Sequence, residues 1–238
     1  MKPYYEQDGM TIWNCDCRDV LPTLAPGSVD LVLTDPPYGF GLYRTDIAPT
    51  IAFWQSLVER YPVAAFGYPE ALCEMAIGLG KAPNEWVTWA PGNKHCRSGD
   101  QGLPHDTECI GIWGPIAHAL EVKRPRAKHA FGIKRAIQRG RDPLWAKERD
   151  VWTDASPGIK LNSHLRLHPN EKPVSVLRKL IQLISEPGQT ILDPFLGSGT
   201  TLVAAKQLSR RAIGIEIEER YCAIAANRLA QTVMNLEV

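Results

Sequence analysis

The chain has 238 residues, of which 22% are charged, and a formal net charge of +1 at pH 7. This length suits one large α/β domain with a buried core and leaves no room for two full domains. No apolar stretch approaches the roughly 20 residues that span a bilayer, and the polar first residues lack a targeting signal, so we expect a cytoplasmic protein without membrane contact.

The predicted elements alternate between strands and helices. Apolar runs bounded by turn residues predict strands over residues 10–13, 29–34, 63–66, 85–90, 109–113, 190–192 and 211–217. Apolar residues at helical spacing predict one helical turn at 20–24 and helices over 50–60, 69–79, 173–185, 200–208 and 218–233. This alternation predicts an α/β fold with a mostly parallel, doubly wound sheet.

A basic segment interrupts this alternation. Residues 121–149 contain ten Lys or Arg against three Asp or Glu, whereas the rest of the chain contains 17 against 23. Such a local excess is typical of a surface that meets phosphates, although a solvated basic insertion is the alternative. We predict an insertion over 114–167 within a single domain of residues 1–238. Its candidate phosphate contacts are Lys123, Arg124, Arg126, Lys128, Lys134, Arg135, Arg139 and Arg141.

The six cysteines include no C-x-x-C pair, so they predict neither a zinc ribbon nor a disulfide framework, and we expect reduced thiols. The spacing of Cys96, His105 and Cys109 is the one arrangement that could be bent into a metal site. Ordinary loop and strand residues are the preferred interpretation, and no metal is predicted.

A glycine-containing loop joins the predicted strand 190–192 to the helix 200–208. Its glycines permit a tight turn and bring backbone N–H groups toward a ligand at the helix N-terminus. A dinucleotide site would need a glycine at position 202, where this chain has Leu202. Glu216, at the end of the next strand, can accept hydrogen bonds from both hydroxyls of a ribose. These features predict a nucleoside ligand without a pyrophosphate.

The predicted strand 29–34 ends in the motif Asp35-Pro36-Pro37-Tyr38. The Asp35 carboxylate and the Pro36 carbonyl are hydrogen-bond acceptors, neither proline offers a competing N–H, and Tyr38 can stack on a flat ring. A plain turn after a strand is the alternative. Because both motifs follow strands, they are expected at the carboxyl edge of the sheet, where open α/β sheets bind ligands.

On these motifs the chain resembles the N6-adenine/N4-cytosine DNA amino-methyltransferases, which use S-adenosylmethionine. The resemblance covers most of the chain outside the basic segment. It implies that the loop wraps the methionine part of the cofactor, Glu216 holds its ribose and Asp16 accepts a hydrogen bond from its adenine. Lys172, in a His-Pro-Asn-Glu-Lys-Pro segment, would face the cofactor carboxylate. A helix cap is the alternative for Asp16, and a solvent-facing side chain for Lys172. The implied cofactor-binding residues are Asp16, Lys172, Asp193, Pro194, Phe195, Gly197, Ser198, Gly199, Thr200 and Glu216.

The order of the motifs adds to the resemblance. The Asp-Pro-Pro-Tyr motif precedes the glycine loop, as in the family's beta class, which implies a circularly permuted, Rossmann-like methyltransferase fold with a small basic insertion. Joining and cutting the chain elsewhere is tolerated because chain termini usually lie at the surface. Glu108 resembles an acid that recurs in the family beside the strand 109–113, with no role assigned to it.

The resemblance implies a reaction and its catalytic residues, Asp35, Pro36, Pro37 and Tyr38. The methyl group would pass directly to the exocyclic N6 amine of an adenine flipped out of DNA, without a covalent enzyme intermediate. Relatives that act on cytosine N4 often have serine at the position of Asp35, so N4-cytosine methylation is the alternative, and an inactive DNA-binding relative is a remote one. DNA is the predicted partner. A homodimer and a cognate restriction endonuclease are further partners to test.

Overall fold

A computed structural model describes residues 2–39, 47–89, 108–114, 151–152 and 171–231. Its strands are β1 (Tyr5–Gln7), β2 (Met10–Asn14), β3 (Leu31–Thr34), β4 (Val63–Gly67), β5 (Glu85–Trp89), β6 (Glu108–Trp113), β7 (Val151–Trp152), β8 (Thr190–Asp193) and β9 (Arg211–Glu216). Its α-helices are α1 (Cys17–Val20), α2 (Ile51–Val58), α3 (Pro69–Leu79), α4 (Val174–Ile184), α5 (Thr200–Gln207) and α6 (Glu219–Ala230). None of the helices in these ranges has the length and apolar character needed to cross a bilayer.

The strands of the described residues form one mixed sheet in the order β1-β2-β9-β8-β3-β4-β6-β5-β7. The central five strands, from β2 to β4 in this order, are parallel to one another. Strand β1 is antiparallel to β2, and β6 is antiparallel to both of its neighbours. The predicted α/β fold with a mostly parallel sheet is therefore confirmed.

Helices cover both faces of this sheet, as in a doubly wound fold. One apolar cluster packs α4, α5 and α6 against the sheet through residues such as Leu180, Leu202 and Ala225. A second cluster packs α1, α2 and α3 through residues such as Leu57 and Leu72. Because both faces are covered, β3 and β8 are buried along their whole length, which explains their continuous apolar sequences.

The permuted chain order brings the two motifs side by side. Strand β3 pairs in parallel with β8, with Leu31 opposite Ile191 and Val32 opposite Leu192. The Thr34 hydroxyl at the end of β3 donates a 2.8 Å hydrogen bond to Asp193 at the end of β8, across 159 residues of sequence. The carboxyl ends of these two strands, and the motifs that follow them, therefore lie next to each other.

Two short strands were absent from the sequence prediction. Strand β1 forms a hairpin with β2 through Asp8 and Gly9, whose φ angles are 53° and 75°. Strand β7 pairs in parallel with the end of β5 and lies within the predicted insertion. Both strands have three residues or fewer, which is too short to show an alternating pattern. The first helix also begins earlier than predicted, at Cys17.

Candidate active site

A cleft of about 550 Å³ opens at the carboxyl ends of β2, β3, β8 and β9. Its size lies within the range of roughly 300–1,000 Å³ that small-molecule sites occupy. Both sequence motifs contribute to its walls, which include Asp16, Asp35, Pro36, Phe195, Gly197 and Glu216. The sheet edge thus brings together residues from three separate parts of the chain.

The glycine loop has a backbone that only glycine adopts without strain. Gly197 and Gly199 have φ angles of 54° and 84°, in the left-handed region, and Gly199 forms the N-cap of α5. A Cβ atom on Gly199 would lie 2.6 Å from the Cβ atom of Ala225 in α6. The second glycine is therefore required both for the turn and for close packing of the loop on α6.

Glu216 ends β9 and holds the glycine loop in place. Its Oε2 atom accepts a 2.8 Å hydrogen bond from the Gly197 backbone N–H, and its Oε1 atom accepts one of 2.8 Å from the N–H of Glu218. Burial raises the pKa of Glu216 despite these hydrogen bonds. An ionised carboxylate has about four acceptor sites, so the side chain keeps acceptor capacity on the side of the cleft.

Asp193 is buried between the two motifs. Its side chain accepts hydrogen bonds from the Thr34 hydroxyl at 2.8 Å and from the Phe195 backbone N–H at 3.1 Å. Burial raises its pKa to about 6, against the effect of these donors. Asp193 thus connects β3 to the glycine loop, and its predicted contact with a cofactor stays a prediction.

Asp16 is the N-cap of α1, so the helix-cap alternative describes its position correctly. Its carboxylate accepts hydrogen bonds from the backbone N–H and the guanidinium of Arg18, the latter at 2.9 and 2.5 Å. The hydrogen bonds from Arg18 lower the pKa of Asp16, although burial opposes them. The same side chain lines the cleft as an ionised acceptor, so capping and ligand contact are compatible.

Asp35 is held at both of its carboxylate oxygens. Its Oδ1 atom accepts a 2.5 Å hydrogen bond from the Tyr38 hydroxyl, and its Oδ2 atom accepts one of 2.6 Å from Lys172 Nζ. Burial raises the pKa of Asp35, the ammonium of Lys172 lowers it and the carboxylate of Glu108 raises it. The Tyr38 ring lies 5.2 Å from the ring of Tyr68, which supports it from the side.

Lys172 lies between two carboxylates. Its Nζ atom is 2.6 Å from Asp35 and 2.9 Å from Glu108 Oε2, and its side chain is only 7% exposed. The solvent-facing alternative for Lys172 is therefore wrong. Burial by itself would lower the pKa of Lys172, but the two carboxylates outweigh it and raise the pKa. The role of Glu108 could not be read from sequence because nothing local links it to Lys172.

Arg228 is a residue that sequence reasoning missed. From α6, its guanidinium donates hydrogen bonds to the backbone carbonyl of Ser198 at 2.8 Å and to the hydroxyls of Ser198 and Thr200 at 3.1 and 3.2 Å. It also forms an ion pair with Glu171 at 3.1 Å. Arg228 therefore ties the glycine loop to the segment that carries Lys172, and no sequence pattern indicates this.

The predicted DNA contacts between Lys123 and Arg141 lie outside the described residues, as does most of the insertion 114–167. Cys96 and His105 lie outside them as well. Among the residues that the structure does describe, no group of three His, Cys, Asp or Glu side chains is arranged to hold a metal ion.

A family model described as DNA methylase, N6_N4_Mtase, matches residues 65–227. The chain belongs to this family of N6-adenine/N4-cytosine DNA methyltransferases. Two curated relatives extend over nearly the whole chain. The type II methyltransferase M2.DpnII of Streptococcus pneumoniae is 27% identical over 258 residues, covering 96% of this chain and 92% of the relative. The putative methylase YubD of Escherichia coli K12 is 31% identical over 225 residues, covering 90% of this chain and 88% of the relative.

The fold also matches a solved structure. The crystal structure of the M1.HpyAVI–SAM complex aligns with a TM-score of 0.63 at 22% identity, covering 93% of this chain and 99% of that one. This likeness shows a methyltransferase fold. Membership in the N6/N4 DNA methyltransferase family makes this chain a DNA methyltransferase, with S-adenosylmethionine as its cofactor.

The cleft of this DNA methyltransferase fits that cofactor. Two carboxylate side chains line it, those of Asp16 and Glu216, and carboxylates are acceptors suited to amine and hydroxyl donors such as those of this cofactor. The walls of the cleft are largely apolar, and two of their apolar residues, Ile47 and Ile217, are exposed. Gly197 lines the cleft without a side chain, so the loop backbone can approach a ligand closely there.

Proposed function

We propose that this DNA methyltransferase transfers the methyl group of S-adenosylmethionine to the exocyclic N6 amine of adenine. The observation that carries the proposal is the Asp35 carboxylate, which stands in the cleft beside the glycine loop and is held by Tyr38 and Lys172. Among the relatives that this chain resembles, those acting on cytosine N4 often have serine at this position. Methylation of cytosine N4 is the second candidate.

The exocyclic amine needs help from the protein because its lone pair is delocalised into the ring. Asp35 and the Pro36 carbonyl accept hydrogen bonds from the two N–H groups and favour a more tetrahedral nitrogen, whose lone pair can attack. The cofactor, when bound, supplies the electrophilic methyl group. The amine would become positively charged on accepting the methyl group, and the Asp35 carboxylate would stabilise this charge until the amine releases a proton to solvent.

We assign the cofactor-binding roles that the family resemblance implies, and the positions of Asp16, Gly197 and Glu216 in the cleft support them. Glu216 accepts hydrogen bonds from the ribose hydroxyls, Asp16 accepts one from the adenine amine, and the loop from Gly197 to Thr200 surrounds the methionine part. Pro194 and Phe195 line the same cleft, and Asp193 holds the backbone N–H of Phe195. Lys172 is less suited to hold the cofactor carboxylate, because a third anion beside Asp35 and Glu108 would leave a buried excess of negative charge.

The target base must leave the duplex to reach this cleft, since its amine is inaccessible within the stack. We assign Tyr38 the stacking contact with the flipped base, for which its ring must turn partly away from Asp35. The eight basic residues of the insertion are assigned to the DNA phosphates, and the insertion itself to target recognition. The homodimer and the cognate restriction endonuclease stay predictions.

The product of the reaction tests the proposal directly. The protein is incubated with unmethylated DNA and S-adenosylmethionine carrying a labelled methyl group, and the DNA is then digested to nucleosides. Mass spectrometry should find the label in N6-methyladenine. Label in N4-methylcytosine would instead establish the second candidate.

The same assay includes two variants. Asp35→Ala should lose methyl transfer, whereas Glu85→Gln, a change of an exposed carboxylate on β5, should behave as the wild type. Label incorporated by Asp35→Ala at the wild-type rate would remove Asp35 from the catalytic residues. Sequencing of the methylated DNA then identifies the sequence that is recognised.

A further inference from the structure

Three charged side chains form a cluster behind the catalytic motif, here called the acid–lysine–acid cluster: Asp35, Lys172 and Glu108. Lys172 Nζ contacts the two carboxylates at 2.6 and 2.9 Å. The side chains of Lys172 and Glu108 are 7% and 5% exposed, whereas that of Asp35 is 21% exposed and reaches the cleft. The cluster therefore extends from the cleft, where the reacting amine would bind, into the interior of the protein.

The fold assembles this cluster from three distant segments. Asp35 follows β3, Glu108 begins β6, and β4 lies between these two strands in the sheet. Lys172 comes from the segment before α4, and its Nζ atom lies 5.4 Å from the ring of Phe66 in β4. The lysine thus crosses the end of β4 and contacts both acids. Packing alone would not require a charged side chain at this position.

We propose that Lys172 and Glu108 are positioning residues that fix the orientation and the charge of the Asp35 carboxylate for methyl transfer. The inference rests on the proposed function, which gives Asp35 the contact with the amine. Lys172 still holds Oδ2 when the Tyr38 ring turns toward the base, so the carboxylate cannot rotate freely during the reaction. Its remaining acceptor sites then point in a constant direction, toward the cleft.

Glu108 has a separate electrostatic effect. A lysine paired with Asp35 alone would cancel the negative charge that the reaction needs near the nitrogen. When all three groups are ionised, two carboxylates and one ammonium give the cluster one net negative charge, opposite in sign to the positive charge that develops on the amine. In a partly buried site, where dielectric screening is weak, this sign determines whether the protein stabilises the transition state.

The two positioning residues shift the pKa of Asp35 in opposite directions. Lys172 lowers it, and Glu108 raises it as a like charge. The rate of methyl transfer should fall at low pH as Asp35 is protonated. Removing Lys172 should move this fall to higher pH, whereas removing the charge of Glu108 should move it to lower pH. Tyr38, Tyr68 and Asp193 also face Asp35 among the described residues, and they are left unchanged in every variant.

The test measures single-turnover methyl transfer to DNA as a function of pH, together with cofactor binding by calorimetry. The variants are Glu108→Gln, Glu108→Asp, Lys172→Met and Lys172→Arg, with Glu85→Gln as the matched control. Glu108→Gln should slow transfer by roughly 10- to 100-fold, because it removes one negative charge next to Lys172 and keeps the shape of the side chain, with cofactor affinity close to that of the wild type. Lys172→Arg and Glu108→Asp should recover part of the rate.

Two results would overturn the inference: an unchanged rate in Glu108→Gln, or a fall of the rate at low pH that stays in place or moves in the same direction in Glu108→Gln and Lys172→Met. Loss of cofactor binding in Lys172→Met at an unchanged transfer rate would assign Lys172 to the cofactor instead. If Lys172→Met does not fold, the two Glu108 variants decide by themselves. Failure of the proposed function is recognised separately, by N4-methylcytosine as the wild-type product or by full activity of Asp35→Ala.

Discussion

Replacing Gly199 by alanine is expected to destabilise the protein and weaken cofactor binding together. The residue has a φ angle of 84°, which costs an alanine about 1–2 kcal/mol. The new Cβ atom would also lie 2.6 Å from Ala225 Cβ and 3.0 Å from Ala225 Cα, and such overpacking costs about 1–3 kcal/mol. The free energy of unfolding should therefore fall by about 2–5 kcal/mol, a large part of the stability of a typical domain.

The chain offers a matched control for this change. Gly188 has nearly the same φ angle, 85°, but no atom lies within 4 Å of the position that a Cβ atom would take. Gly188→Ala should therefore show the backbone cost alone, about 1–2 kcal/mol, with cofactor binding intact. Urea unfolding measures the stabilities, and calorimetry with S-adenosylmethionine measures the affinities.

A double variant separates the two contributions. Ala225→Gly removes the Cβ atom that Gly199→Ala would meet, so the double variant should recover part of the stability that the single change loses. Recovery should be incomplete, because the backbone of Ala225 also lies close. Equal destabilisation by Gly199→Ala and Gly188→Ala, or no coupling between positions 199 and 225, would refute the packing argument.

Three further changes test the site. Glu216→Ala should weaken S-adenosylmethionine binding by about 1.5–3 kcal/mol in calorimetry. Unaltered affinity would show that Glu216 does not bind the ribose. The pKa of Asp193 is raised from 3.8 to about 6, so protonation of this side chain stabilises the folded state at low pH. This stabilisation is lost as the pH rises through about 6. The stability of Asp193→Asn relative to the wild type should thus increase by about 2–3 kcal/mol between these pH values, and a constant difference would contradict the assignment. Replacing Lys134 and Arg135 by alanine should weaken DNA binding and lower the slope of log affinity against log salt by about 1.8; an unchanged slope would exclude phosphate contacts there.

Sequence patterns predicted the sheet well because its central strands are apolar runs that end in turn residues. Strands β3, β8 and β9 stand out from the turn residues that follow them, and a motif placed directly after a strand must lie at the edge of the sheet. The order of the motifs, one after β3 and one after β8, resembles that of the family's beta class, and this resemblance implied the permuted arrangement. These inferences need only residues that are close together in the chain.

The glycine loop is an intermediate case. Its two glycines could be recognised as a turn before a helix, since a left-handed φ angle is a local property. That Gly199 also faces Ala225 in α6 could not be predicted, because this contact depends on how α6 packs against the loop. The sequence thus indicated which residue type was needed there and only one of the two reasons for it.

The sequence by itself determined the fold class, the sheet edge that carries the site, and the two motifs at that edge. Only the tertiary structure decided that Lys172 faces Asp35 and Glu108 rather than solvent, and that Arg228 supports the loop from α6. The physical reason is that periodicity and turn chemistry act over a few residues. Which charges meet in a buried cluster depends instead on strand order and helix packing, which bring together segments far apart in the chain.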